Sequence, residues 1–128
     1  RRGEIVICDR FTDSTLAYQG YGRGLALTLV DEINSLATNN LVPDLTVLLD
    51  IDPELGINRN ASKKDRFEQN FDSEDTRNFH QRVRGGYLEL AKNDLNRWFI
   101  IDGELNPKDV TAKILDAIEI TVNKLNRQ

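Results

Sequence analysis

The sequence lacks the features that mark several large classes of protein. Its one cysteine, Cys8, cannot form an internal disulfide and is typical of a reducing compartment. No apolar run approaches the roughly 20 residues that a membrane-spanning helix needs. The segment Arg1–Glu4 is followed by only four apolar residues before Asp9, which is too few for a signal peptide. We therefore expect a cytoplasmic protein that does not act at a membrane.

Positive charge is not in excess either. The 128 residues carry 17 Lys and Arg against 21 Asp and Glu, a formal net charge of −4, and the isoelectric point is near 5.0. This balance argues against a general nucleic-acid-binding surface, which would be basic. Any site for an anion must therefore be local. The length and the hydrophobic fraction of 39% are ordinary for one globular domain.

Two further kinds of site have no support in the sequence pattern. The single histidine, His80, lies beside an apolar helical stripe with no second metal ligand nearby, so we expect it to be structural. The string G-x-x-x-x-G-K-S/T, whose backbone cradles nucleotide phosphates, does not occur. The glycine-rich segment Gly20–Gly24 does not replace it, because it contains no Lys-Ser or Lys-Thr and no helix is expected directly behind it.

The hydrophobic pattern predicts strands alternating with helices. Three apolar runs are typical of strands buried in a parallel sheet, namely Ile5–Cys8, Leu45–Ile51 and Trp98–Ile101. Four stretches have helical spacing or helix-start residues: Leu25–Ala37, Pro53 to about Arg59, Ser73–Asn93, and the stretch from Pro107 onward. The fold class is therefore α/β with a parallel sheet. We expect Tyr87 and Trp98 in its core.

The most informative stretch is Asp9–Gly24, which follows the first predicted strand. Ligands of open α/β sheets bind at the carboxyl ends of strands, where Asp9 and Arg10 are expected. A cation beside a carboxylate, followed by hydroxyls, an aromatic ring and an amide, would suit an anionic small molecule that carries a base. An ion pair at a strand end and a glycine-rich turn remain an alternative on spacing alone.

Four blocks in order carry a family resemblance. They are Asp9-Arg10-Phe11 with Ser14, Ala17–Gly20 and Gly22–Gly24; Pro43–Thr46 leading to Leu49-Asp50; Asp65–Glu68; and Val83–Ala91. Together they resemble the bacterial thymidylate kinases over about the whole chain. The resemblance implies a P-loop nucleoside-monophosphate-kinase-like parallel sheet in the order 2-3-1-4-5. This chain would supply the last three strands and their helices, as the C-terminal portion of a single domain without its N-terminal phosphate loop. We expect this portion alone to be unstable and inactive.

The same resemblance implies a reaction and its first two residues. The intact protein would transfer the γ-phosphate of ATP to dTMP with Mg²⁺, a step in dTTP synthesis. Arg10 would hold the acceptor phosphate, a task that suits a guanidinium that stays protonated. Asp9 would orient Arg10 and contact the magnesium ion through water, with no direct protein ligand.

Recognition of the acceptor would fall to the following helical turn. By resemblance Tyr18 excludes a 2′-hydroxyl and Ser14 assists Arg10 or the base. Thr15 and Gln19 are four residues apart, hence on one helical face, and are expected to hydrogen-bond thymine and sugar. Packing without ligand contact is the alternative for all four.

A charged segment at about residues 59–70 resembles the lid of these kinases. Its candidate catalytic cations are Arg59, Lys63, Lys64 and Arg66, where related enzymes carry several arginines. A solvated loop is the alternative. By the same resemblance Arg59, and the separate pair Asp102 and Gly103, are expected near the ATP donor.

Two other functions remain open on the sequence alone. One is a nucleoside or nucleotide kinase of the same fold with a different acceptor. The other is a non-catalytic binding or dimerisation module. The resemblance also implies a homodimer, with helices near Leu25–Ala37 as the contact.

Overall fold

A computed structural model describes residues 3–56 and 73–127. Besides one helical turn at residues 53–56, the elements in chain order are α1 (Thr12–Thr15), a π-helix (Leu16–Gly22), α2 (Leu27–Thr38), β1 (Thr46–Asp50), α3 (Glu74–Asn93), β2 (Trp98–Asp102) and α4 (Pro107–Leu125).

The two strands form a parallel pair. Thr46 lies opposite Trp98 and Asp50 opposite Asp102, so the strands begin and end together. A parallel pair needs a long crossover, which here includes α3. Ile101 is 2% exposed, and Ala117 of α4 is buried with it. The second and third predicted strands and the α/β class are thus confirmed.

The prediction of a first strand at Ile5–Cys8 is wrong for the described structure. These residues form no strand, and Ile5, Val6 and Ile7 are 68%, 82% and 85% exposed. Cys8 is exposed as well, not buried. The physical reason is that an apolar, β-branched run becomes a strand only when a neighbouring strand pairs with its backbone. Within residues 3–56 and 73–127 no strand pairs with this segment.

Side-chain caps set the starts of the later helices, as their sequences predict. The Ser73 hydroxyl accepts from the Thr76 amide, and the Asn106 side chain accepts from the Asp109 amide ahead of a proline in the first turn. Asn39 ends α2 in the left-handed conformation, with φ 54°. The Ser73 cap fixes where α3 begins, and α3 packs against the π-helix.

Glycines allow α3 and the π-helix to approach closely. A Cβ on Gly86 would lie 2.5 Å from Cγ of Tyr21, and a Cβ on Gly22 would lie 2.7 Å from the Phe79 ring. Both distances are shorter than any tolerable carbon contact. The Arg82 guanidinium adds a 3.0 Å hydrogen bond to the Gly22 carbonyl. The packing therefore depends on glycine at these two positions.

The adjacent glycines of α3 give a matched stability test. We expect Gly86→Ala to lower the free energy of unfolding by about 1–3 kcal/mol, because the added methyl group overpacks against Tyr21. A Cβ on Gly85 meets nothing within 4 Å. Gly85→Ala should therefore raise the free energy of unfolding by up to about 1 kcal/mol, the helix propensity difference. Urea unfolding of the complete protein measures both, and equal effects of the two substitutions would contradict the packing.

None of the helices within the described ranges is both long enough and apolar enough to span a bilayer.

Candidate functional site

The exposed pair Asp9 and Arg10 immediately precedes the helical part of the predicted site. Arg10 has a left-handed backbone, with φ 67°. Its guanidinium carbon lies 4.5 Å from the centroid of the Tyr18 ring, and the same group donates a hydrogen bond to the Tyr18 hydroxyl. A cation stacked on an aromatic ring keeps its outer edge in solvent. Arg10 is thus available to an anion.

Two predicted substrate residues, Ser14 and Tyr18, contact α3, and Arg10 contacts Tyr18. The hydroxyls of Ser14 and Tyr87 are 2.6 Å apart. The Tyr18 ring meets Phe79 and Tyr87 edge-on, at centroid distances of 5.9 and 6.4 Å. The structure therefore brings Arg10, Ser14 and Tyr18 into one cluster. Tyr87, expected in the core, is half-buried at the edge of that cluster.

Thr15 immediately precedes the π-helix, and Gln19 lies in the middle of it. Thr15 ends α1, and the Gln19 side-chain oxygen accepts a 2.9 Å hydrogen bond from Arg23. The predicted turn of α-helix is here a π-helix. This form is rare in proteins as a whole but is often found at functional sites. Contacts of these two residues with a base stay a prediction.

Asp13 is a buried charge that the sequence reading missed. It is 7% exposed, and both of its oxygens accept from Arg97, at 2.7 and 3.0 Å. The Thr46 hydroxyl donates to the same carboxylate at 2.9 Å. Hydrogen bonding to Asp13 raises the pKa of Arg97. The Asp13 carboxylate thus links α1 by hydrogen bonds to Thr46 of β1 and to Arg97, the residue before β2.

A second bidentate pair lies at the carboxyl end of β1. Arg84 of α3 donates to both oxygens of Asp50, at 2.7 and 3.0 Å, and lies 3.6 Å from Asp52. The hydrogen bond from Arg84 lowers the pKa of Asp50. The pair fixes α3 against the sheet edge where ligands of parallel sheets bind.

The predicted donor-site residues Asp102 and Gly103 share this edge. The Gly103 amide donates to the Asp50 carbonyl at 2.7 Å, and a Cβ on Gly103 would lie 3.0 Å from that oxygen. The exposed Asp102 carboxylate accepts from the Glu104 amide. Their contact with ATP stays a prediction. The four lid cations Arg59, Lys63, Lys64 and Arg66 lie outside the described residues.

The fit of a magnesium ion depends on Asp9. Within residues 3–56 and 73–127 no group of three His, Cys, Asp or Glu side chains is arranged to hold a metal. A magnesium ion carried by nucleotide phosphates keeps several waters and needs only one or two carboxylates from the protein. The exposed Asp9 fits that demand.

His80, which we expected to be structural, lies edge-on to the Phe79 ring at a centroid distance of 5.4 Å, and burial lowers its pKa.

Comparison with known proteins assigns the chain to one family. The family model described as thymidylate kinase matches residues 1–114. The thymidylate kinase of Desulfovibrio desulfuricans is 46% identical, with 98% of this chain and 59% of that protein aligned. The thymidylate kinase of Geotalea daltonii is 45% identical, with 95% and 58% aligned. The chain therefore spans less than two thirds of the length of these relatives.

A solved structure supports the same family. The crystal structure of thymidylate kinase from Ehrlichia chaffeensis matches with a TM-score of 0.58 and 33% identity, covering 91% of this chain and 48% of that chain. The match confirms the predicted fold of the nucleoside-monophosphate-kinase type.

Proposed function

Because the chain belongs to the thymidylate kinase family, we propose that the complete protein transfers the γ-phosphate of ATP to dTMP, giving ADP and dTDP. The observation that carries this proposal is the cluster of Arg10, Ser14 and Tyr18, in which a solvent-facing cation lies beside groups suited to a nucleoside. The product places the enzyme in dTTP synthesis.

Phosphoryl transfer depends mainly on alignment and on cations near the developing charge. An oxygen of the dTMP phosphate attacks the γ-phosphorus of ATP, and the bond from that phosphorus to the β,γ-bridging oxygen breaks as ADP leaves. Two anions must approach for this step, and Arg10 offsets their repulsion by binding the dTMP phosphate. The contact with Tyr18 holds the guanidinium in place before the nucleotide arrives.

Acceptor recognition belongs to the residues that follow Arg10. The Tyr18 ring would lie against the deoxyribose, where a 2′-hydroxyl has no room. Ser14, Thr15 and Gln19 would hydrogen-bond the nucleotide. The Gln19 amide group retains donors, because its contact with Arg23 uses its oxygen.

The donor side would involve the sheet edge and the lid. Asp102 and Gly103 would lie near the adenine. Arg59, Lys63, Lys64 and Arg66 are the candidate cations for the transferring phosphate. Magnesium supplies charge neutralisation on the ATP phosphates when bound, and Asp9 would contact it through water.

The apolar face of α2 supports a homodimer. Leu29, Ile33 and Leu36 are 51%, 57% and 85% exposed and recur at helical spacing. Contiguous apolar surface of this kind marks a protein interface. We infer a cytoplasmic homodimer that uses α2.

The acceptor spectrum tests the proposal. We expect the complete protein to phosphorylate dTMP with a kcat/KM at least about tenfold higher than for dUMP, dCMP or UMP, since each lost or added group changes acceptor binding by about 1–3 kcal/mol. A coupled assay for ADP release measures all four acceptors. Preference for another acceptor would indicate a different nucleotide kinase of this fold. Dimerisation without any phosphotransfer would indicate a non-catalytic module.

A further inference from the structure

Tyr87 of α3 contacts two of the proposed substrate residues at once. Its hydroxyl lies 2.6 Å from the Ser14 hydroxyl, and its ring meets the Tyr18 ring edge-on at 6.4 Å. Tyr18 in turn carries Arg10 over its face. Ser14, Tyr18 and Arg10 therefore all depend on the position of one side chain that lies 73 residues after Ser14.

The position of Tyr87 is itself fixed from several sides. Its ring meets Trp98 of β2 edge-on at 6.4 Å, and Trp98 is 7% exposed. The next residue toward the N-terminus, Gly86, is packed under the Tyr21 ring, so α3 cannot slide along the π-helix. Desolvation by burial raises the pKa of the Tyr87 phenol, so that it stays protonated at neutral pH. The phenol can thus donate to or accept from Ser14.

From this geometry we propose that Tyr87 is a positioning residue for the acceptor nucleotide. Its hydroxyl fixes the orientation of the Ser14 hydroxyl, and its ring supports Tyr18 against the sugar. The proposal rests on the proposed function, since it assigns Ser14 and Tyr18 to dTMP. It separates two contributions of one side chain, a polar one and a steric one.

The polar contribution is tested by a double-mutant cycle in the complete protein. Tyr87→Phe keeps the ring and removes the hydroxyl. We expect it to raise the KM for dTMP by about three- to tenfold, the effect of one hydrogen bond, with kcat within about twofold of wild type. In the Ser14→Ala background the same substitution should change KM by less than about twofold, because its partner is already gone. Tyr21→Phe is the matched control, since the Tyr21 ring packs on Gly86, and it should leave KM unchanged.

The steric contribution is tested by Tyr87→Leu. Without the supporting ring, Tyr18 can move away from the sugar. We expect the preference for dTMP over the ribonucleotide of thymine to fall by about fivefold or more, while Tyr87→Phe keeps it. Loss of support for a side chain can change substrate discrimination by about this amount. The thermal midpoint of each variant shows that it is folded at the assay temperature.

Two results would overturn the proposal. One is an unchanged KM in Tyr87→Phe, or effects of Tyr87→Phe and Ser14→Ala on KM that multiply as independent changes. The other is unchanged discrimination in a folded Tyr87→Leu. Either result leaves wild-type activity on dTMP intact, so it is distinct from failure of the proposed function, which would show as no activity on dTMP in the wild type.

Discussion

Arg10→Ala is expected to lower the turnover of dTMP by about 10²- to 10³-fold, the usual cost of removing one group that stabilises developing charge. The guanidinium of Arg10 is exposed, is held over the Tyr18 ring and faces no acidic partner within the described residues. Its loss leaves the acceptor phosphate without that cation as the donor phosphate approaches. Steady-state kinetics with saturating ATP measures the change in kcat and in the KM for dTMP.

The backbone of Arg10 makes alanine a clean substitution. Arg10 has φ 67°, and alanine has the same Cβ as arginine, so the variant adds no strain to the left-handed conformation. Arg10→Lys keeps the charge but loses the planar stack on Tyr18, so its kcat should lie between those of wild type and Arg10→Ala. Arg82→Ala is the matched control and should keep near-wild-type turnover. Within the described residues the Arg82 side chain donates only to the Gly22 carbonyl. Wild-type turnover in Arg10→Ala would exclude Arg10 from the reaction.

Local sequence signals account for the elements that were predicted well. The runs at β1 and β2 are mostly apolar, and each is followed by a residue pattern that turns the chain. Serine, asparagine and proline mark the starts of α3 and α4, where the structure has the caps. These signals act over three or four residues and do not depend on the rest of the fold. The two strands and the long helices could therefore be predicted from the sequence.

Features that depend on distant residues were not predictable in this way. The run Ile5–Cys8 has the composition of a strand, but pairing with another strand decides its structure. The clusters around Tyr87 and Asp13 join residues that are 73 and 84 positions apart. Nothing in local composition distinguishes Asp13 from a solvated carboxylate, and Ser14 was assigned by resemblance without its partner. The lid cations, which fall in the undescribed part, stay predictions.

Arg97→Ala is expected to lower the free energy of unfolding by about 3 kcal/mol, because breaking a buried pair leaves the other charge uncompensated. The Asp13 and Arg97 side chains are 11% and 16% exposed and share a bidentate contact. Arg97 also donates to the Thr46 hydroxyl at 2.7 Å and to Asp94 at 3.0 Å. Alanine at position 97 leaves the buried Asp13 carboxylate without its cation. Urea unfolding of the complete protein gives the free energy directly.

The second bidentate pair provides the control that separates burial from hydrogen-bond geometry. Arg84 and Asp50 are joined at the same 2.7 Å distance as Arg97 and Asp13, but their side chains are 34% and 22% exposed. In Arg84→Ala water can reach the Asp50 carboxylate that has lost its partner. This substitution should therefore lower the free energy of unfolding by about 1 kcal/mol or less. In the double variant Asp13→Ala/Arg97→Ala neither charge of the buried pair remains, and the loss should be smaller than the sum of the two single losses. If Arg97→Ala and Arg84→Ala cost the same, or if the Asp13 and Arg97 losses add, α1 is not held to the sheet by this ion pair.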